Sequence, residues 1–148
     1  MKETWSILML VSGGLLAGAM IPIALERGPT WRSLDPGTYR VQFGDTLRRV
    51  DRLVPGLLVV CLATTIGFAV TVTGTPRTLA IIAAVLLALV FGGSGGVLVP
   101  LQKRLADVRV QMSTADVERL RARWQTGHAL RTLVATSAFV LLAAAAVV

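Results

Sequence analysis

The sequence predicts an all-α fold, a four-helix transmembrane bundle, and two observations support this prediction. Of the 148 residues, 54% are hydrophobic and only 16% are charged, whereas soluble domains are usually about 45–50% apolar. The mean hydropathy is +0.71. Four apolar runs also reach the length of about 20 residues that a bilayer-spanning helix needs. Because lipid cannot hydrogen-bond the backbone, each run is expected to be a helix.

The chain is expected to form a single integral membrane domain over residues 1–148. Its predicted spans are residues 6–25, 53–73, 79–99 and 129–148. Cys61 is the only cysteine and lies in an apolar run, so it offers no intrachain disulfide or cysteine metal site.

The basic residues predict how the bundle is oriented. The two long loops hold 12 lysines and arginines, against two on the other side, Lys2 and Arg77; Arg131 lies at a membrane boundary. The positive-inside rule therefore places loops 26–52 and 100–128 in the cytoplasm and both termini outside, in the cell membrane. We attribute the net charge of +7 to this orientation and expect no nucleic-acid partner.

A secretory signal peptide is the alternative for the first span. Ala17, Gly18 and Ala19 resemble a small-residue cleavage site. However, Glu3 cancels the charge of Lys2, and cleavage would export a loop with six arginines. We therefore expect an uncleaved span.

An amphipathic helix is predicted in the first long loop, leading into the second span. Apolar residues there recur at helical spacing while charged residues lie off that stripe. The stripe consists of Phe43, Leu47, Val50 and Val54, and the charged residues are Arg48, Arg49, Asp51 and Arg52. Such a helix would lie at the membrane surface or cover a cavity that faces the cytoplasm.

Two GxxxG motifs, one in the first span and one in the third, predict close helix packing. Gly14 and Gly18 form one, and Gly92 and Gly96 form the other. We expect all four glycines to face neighbouring helices, since small residues let backbones approach closely in lipid. The alternative for the third span is room for a flat ligand between helices.

A long helix is predicted to lead into the fourth span. Ser113 and Asp116 have the spacing of a helix start, and Gly127 is the only helix-weakening residue between them and the span. Trp124, His128 and Arg131 would then share a stripe about 60° wide. His128 is the only histidine.

This stripe has two interpretations. Tryptophan, histidine and arginine are common at membrane interfaces, where they serve as belt and snorkelling residues. Alternatively, the stripe faces the bundle interior, since it continues to Ala135 and Arg131 lies where a charge needs a partner or a function.

Residues 99–135 resemble the DUF1772, or anthrone-oxygenase-like, family of four-span membrane proteins. The family pattern is a proline near the end of span three, an asparagine-containing turn, and then W…H…R entering span four. Pro100, Trp124, His128 and Arg131 match it. This sequence departs at Gln102, where asparagine is expected, which keeps an amide but lengthens it by one methylene.

The resemblance implies oxidation of an anthrone methylene to a quinone carbonyl by O₂, without metal or organic cofactor. His128 and Arg131 would be the catalytic residues, as base and oxyanion-stabilising cation. Trp124 and Gln102 would bind substrate, by stacking and by hydrogen bonding. A metal site is not expected, since no second histidine and no acidic residue within a span are present.

The expected function is therefore an oxidoreductase whose partners are the bilayer, O₂ and a flat hydrophobic molecule of the aromatic or polyketide type. The first alternative is a non-catalytic membrane scaffold or accessory subunit. The second alternative is a transporter, which would require a homo-oligomer because four short spans form a poor transport pathway. The sequence leaves open whether the protein forms a homo-oligomer.

Overall fold

The computed structural model describes residues 1–50 and 53–148, and within these residues the chain is helical and has no strand. Two π-helical turns, Ile23–Arg27 and Ser94–Leu98, continue α1 into α2 and α5 into α6. The α-helices are α1 (Lys2–Pro22), α2 (Gly28–Arg32), α3 (Pro36–Val50), α4 (Leu53–Thr71), α5 (Thr75–Gly93), α6 (Val99–Ala106) and α7 (Thr114–Val147). The predicted all-α class is confirmed.

Four helical segments are long and apolar enough to cross a membrane, which makes this an integral membrane protein. They are Lys2–Arg32, Leu53–Thr71, Thr75–Ala106 and Thr114–Val147. Helix α1 packs against α4 and α7, and α5 packs against the same two helices. The four helices therefore form a closed ring, the predicted four-helix bundle.

The core of the bundle is apolar, with a small polar contact between α1 and α4. Met9, Leu16, Phe68 and Leu142 are among its fully buried side chains. The hydroxyls of Ser12 and Thr64 lie 3.2 Å apart, and each also bonds to a carbonyl of its own helix. Such hydrogen bonds add to packing where lipid supplies no hydrophobic drive.

A second core lies at the end of the bundle where the two long loops, residues 26–52 and 100–128, are found. We call it the aromatic cap. Its aromatic members are Trp31, Tyr39, Phe43 and Trp124, from α2, α3 and α7. Helix α3 is amphipathic as predicted, because Phe43 is buried while Arg48 and Arg49 are exposed. The charged positions 51 and 52 of that prediction lie outside the described residues.

The buried guanidinium of Arg40 joins α3 to the segment that follows α6. It donates to the carbonyls of Leu105 at 3.0 Å and Val110 at 2.9 Å, and also to the carbonyl of Asp107. Carbonyls at a helix C-terminus lack partners within the helix, and a cation satisfies them well. Arg40 thereby connects the two long loops.

The prediction that the GxxxG glycines face other helices is wrong for three of the four. A Cβ added at Gly18, Gly92 or Gly96 would meet nothing within 4 Å, whereas one at Gly14 would lie 3.6 Å from Phe139. Close approach occurs instead at glycines outside these motifs, such as Gly67, where an added Cβ would lie 2.6 Å from the ring of Trp5. The motif shows that two glycines share a helix face, but not where that face points.

Candidate active site

Helix α7 places three of the four predicted site residues on one buried face. It begins where predicted, with the Ser113 side chain accepting a hydrogen bond from the Asp116 N–H, and it continues unbroken past Gly127. Trp124 and His128 are each 2% exposed, and Arg131 is partly buried. In the described structure this face points into the protein.

Both ring nitrogens of His128 are engaged. Arg131 Nε donates to His128 Nδ1 at 3.1 Å, and His128 Nε2 lies 3.3 Å from the carbonyl oxygen of Met20 on α1. A guanidinium N–H can only donate, so Nδ1 must accept. The proton of the neutral ring is then on Nε2, which donates to Met20.

Trp124 holds the imidazole from one side. The two rings are stacked, with centroids 4.9 Å apart and planes inclined by 6°. Phe43 and Trp31 contact the same indole at centroid distances of 4.8 and 5.8 Å. Trp124 is therefore the member of the aromatic cap that connects it to His128.

Gln102 and Arg131 line one cavity between the helices, which we call the internal cavity; it is partly open, since Phe91, which is 52% exposed, also lines it. Gln102 is 2% exposed and comes from α6. The cavity has a volume of about 130 Å³, and its other walls are mainly apolar side chains of α1, α4 and α5. His128 and Trp124 do not line this cavity. Moving away from the cavity, Arg131 contacts His128, and His128 in turn stacks on Trp124.

Sequence reasoning missed the residues of the two long loops that pack around Trp124 or hold the loops together. Trp31 and Tyr39 pack in the cap, and Arg121 donates to the carbonyls of Trp31 at 3.1 Å and Leu34 at 2.9 Å. Burial raises the pKa of the Tyr39 phenol, although the nearby Arg121 guanidinium opposes this. Tyr39 lies four residues before Phe43, so extending the apolar stripe of α3 by one turn would have found it.

A larger cleft lies between α1 and α3, with a volume of about 660 Å³. Glu26, Arg27, Asp45 and Arg49 are among its lining residues, and none of the four predicted site residues lines it. Its open, charged walls suit a polar ligand better than a flat apolar one. Within residues 1–50 and 53–148, no group of three His, Cys, Asp or Glu side chains could hold a metal ion.

A comparison with protein families identifies the relationship. The model of the family described as anthrone oxygenase matches residues 43–141, which is more than half of the chain. The chain belongs to the anthrone oxygenase family. The match covers Gln102, Trp124, His128 and Arg131, but it does not reach Met20 on α1. No curated protein and no solved structure matches the chain.

For a member of the anthrone oxygenase family, the arrangement offers three chemical elements. They are a neutral imidazole, a guanidinium in contact with it, and an adjoining cavity that is mainly apolar. Together these can remove a proton, stabilise an oxyanion and exclude water from a reactive carbanion.

Proposed function

We propose that this protein is a cofactor-independent, membrane-embedded oxygenase that converts the activated methylene of a flat anthrone-type substrate to a carbonyl. The observation that carries the proposal is the 3.1 Å hydrogen bond from Arg131 to His128, beside the cavity that Arg131 lines. Both residues lie in the segment that the family model matches.

The reaction needs only a base, a cation and O₂. Removal of a methylene proton leaves a carbanion that is delocalised onto the ketone oxygen and makes the central ring aromatic. This anion transfers one electron to O₂, and the resulting radical pair combines into a C–O bond. Protonation gives a hydroperoxide, and loss of water from it leaves the quinone carbonyl. In sum, CH₂ and O₂ give C=O and H₂O.

The Arg131–His128 contact suggests how the base becomes available. His128 cannot accept a proton on Nδ1 while that atom accepts the Arg131 N–H. A substrate oxygen that is gaining negative charge binds a guanidinium more strongly than a neutral imidazole does, because Coulomb attraction between two opposite charges adds to the hydrogen bond. Substrate would thus draw Arg131 away and free the lone pair of His128.

The remaining predicted residues have supporting roles in this proposal. Trp124 holds the imidazole plane by stacking, which restrains His128 when Arg131 leaves. A direct contact of Trp124 with substrate would require movement, since only 2% of this side chain is exposed. Gln102 would hydrogen-bond a carbonyl or phenol at the end of the substrate that reaches the cavity it shares with Arg131.

The location and organisation of the protein follow the charge distribution and the packing. We place it in the cell membrane with the 12 basic residues of the two long loops in the cytoplasm. Because α1, α6 and α7 all contribute to the site, residues 1–148 would act as one domain. The proposed reaction needs one chain and no homo-oligomer.

The test is turnover of anthrone by the purified protein in lipid nanodiscs under ¹⁸O₂, with chelator present. We expect one ¹⁸O atom in each anthraquinone. His128→Gln should reduce the rate about 10²–10⁴-fold, the usual effect of losing a general base, while the variant keeps its helical fold. Since anthrone also oxidises slowly without protein, empty nanodiscs supply the background. Equal rates for wild type, His128→Gln and empty nanodiscs would overturn the proposal and favour the accessory-protein alternative.

A further inference from the structure

A groove between α5 and α7 reaches Arg131 from outside the bundle. It has a volume of about 340 Å³ and is lined mostly by apolar side chains. Leu89, Val97 and Leu130, which line it, are 64%, 60% and 61% exposed, so at these positions the surface faces the bilayer. Arg131 lines the groove as well as the internal cavity.

The groove and the internal cavity share two further residues, Val90 and Ser94. With about 130 Å³, the internal cavity is smaller than the roughly 300–1,000 Å³ of typical small-molecule sites, whereas the groove of about 340 Å³ falls within that range. A tricyclic ligand therefore fits the groove better than the cavity, with one end directed to Arg131.

Local backbone features shape this groove. Gly93 lines it, and a Cβ added there would meet nothing within 4 Å. At Gly127 an added Cβ would lie 2.6 Å from Leu98, so the glycine lets the Leu98 side chain approach α7. Leu98 ends the π-helical turn Ser94–Leu98, and such turns occur frequently at functional sites.

We propose that the α5–α7 groove binds the flat aromatic substrate and admits it from the bilayer, with its ketone oxygen at Arg131. This inference rests on the proposed function for the identity of the ligand. An uncharged tricyclic ketone partitions into lipid, and the groove offers it apolar walls with one cation at the inner end. The hydrocarbon tail of a lipid has no acceptor for that cation.

The test measures binding of 9,10-anthraquinone, which requires no turnover, through its quenching of tryptophan fluorescence in nanodiscs. We expect saturable quenching for the wild type. Gly93→Leu should weaken the apparent affinity about tenfold or more, because the added side chain fills the groove. Gly92→Leu is the matched control: it adds the same side chain on the same helix, with open space around it, but outside the groove. Its affinity should remain within about twofold of wild type.

A second pair of variants tests the other wall. Leu130→Phe adds bulk to the groove from α7, whereas Leu133→Phe changes a residue of similar exposure, 65% against 61%, that does not line the groove. Leu130→Phe should weaken binding and Leu133→Phe should not, and neither change adds a tryptophan to the fluorescence signal. The two variants of each pair lie on the same helix and gain the same side chain. A general effect on folding would therefore lower the melting temperature of both variants, which thermal unfolding would detect.

The outcomes separate this inference from the proposed function. If the groove-filling variants lose anthraquinone binding but the wild type does not oxidise anthrone, the proposed binding site is supported and the proposed oxygenase function is wrong. If anthrone oxidation depends on His128 while all four variants bind anthraquinone like wild type, the proposed binding site is wrong and the proposed function is supported. Quenching that never saturates in the wild type indicates lipid-like partitioning and also overturns the groove.

Discussion

Arg131 and His128 form a hydrogen bond within one helix, from Nε to Nδ1 at 3.1 Å. Their spacing of three residues puts them on the same face, so the contact forms as soon as α7 does. Met20 and Trp124 then restrain the imidazole at its other nitrogen and over one ring face. A charge near the membrane boundary is thus held against a neutral acceptor, in contact with a cavity.

Replacement of Arg131 tests its role as the oxyanion-stabilising cation. Arg131→Leu should lower the turnover number of anthrone oxidation about 10²–10³-fold, as expected when a transition-state donor is lost. Membrane insertion should persist, because removing a charge from a span favours the membrane state. Arg131→Lys is the control: it keeps the charge and should recover part of the rate. A leucine variant with wild-type turnover would remove Arg131 from the mechanism.

Two glycines in the spans should respond oppositely to the same substitution. Gly67→Leu should destabilise the bundle by about 1–3 kcal/mol, because its Cβ would lie 2.6 Å from the Trp5 ring. Gly92→Leu should be neutral or stabilising, since its Cβ meets nothing within 4 Å and leucine is the better helix former. Thermal unfolding in detergent measures both. A larger loss at Gly92 than at Gly67 would contradict the described helix rotations.

Arg40 should contribute to the stability of the loop end. Arg40→Met keeps much of the side-chain volume but leaves three carbonyls without their donor. The expected loss is at least about 1.5–3 kcal/mol, the contribution of one hydrogen bond to a charged group. Arg48→Met is the control, because the Arg48 side chain is 80% exposed. Equal melting temperatures for the two variants would show that the Arg40 contacts contribute little.

Asp35 should make the stability of α3 depend on pH. Hydrogen bonds to Thr38, and to the Gly37 backbone N–H, lower the pKa of this carboxyl below its ordinary value of 3.8. The stabilisation is therefore present above the unfolded pKa and is lost as the pH falls through the lower folded pKa. Asp35→Asn should retain a cap and lose this part of the pH dependence. Melting temperatures between about pH 5 and pH 1 measure the difference, and identical acid profiles would contradict it.

The membrane orientation is testable with single cysteines on a Cys61→Ser background. Gln42→Cys and Gln111→Cys lie in the two long loops, and Thr73→Cys lies in the short connection between α4 and α5. None of these changes alters the charge asymmetry. A membrane-impermeant thiol reagent added to intact cells should label only residue 73. Labelling of residues 42 and 111 instead would reverse the proposed topology.

The elements of the fold and the order of residues along α7 could be predicted from sequence because the signals are local. Apolar runs of sufficient length must be helices in lipid. The Ser113 cap and the absence of a breaker stronger than Gly127 make α7 one helix, which places Trp124, His128 and Arg131 on one face. The resemblance at these positions also led to the family that the comparison identifies.

The tertiary structure alone decided which way each face of the membrane spans points and which residues it contacts. A span that is apolar all round has no hydropathy difference to set its rotation, so the spacing of Gly92 and Gly96 did not reveal that they face outward. The partner of His128 Nε2 is the carbonyl of Met20, 108 residues away, and Trp124 meets Trp31 from another loop. Such contacts depend on how four helices rotate and pack together, which local patterns along one helix do not encode.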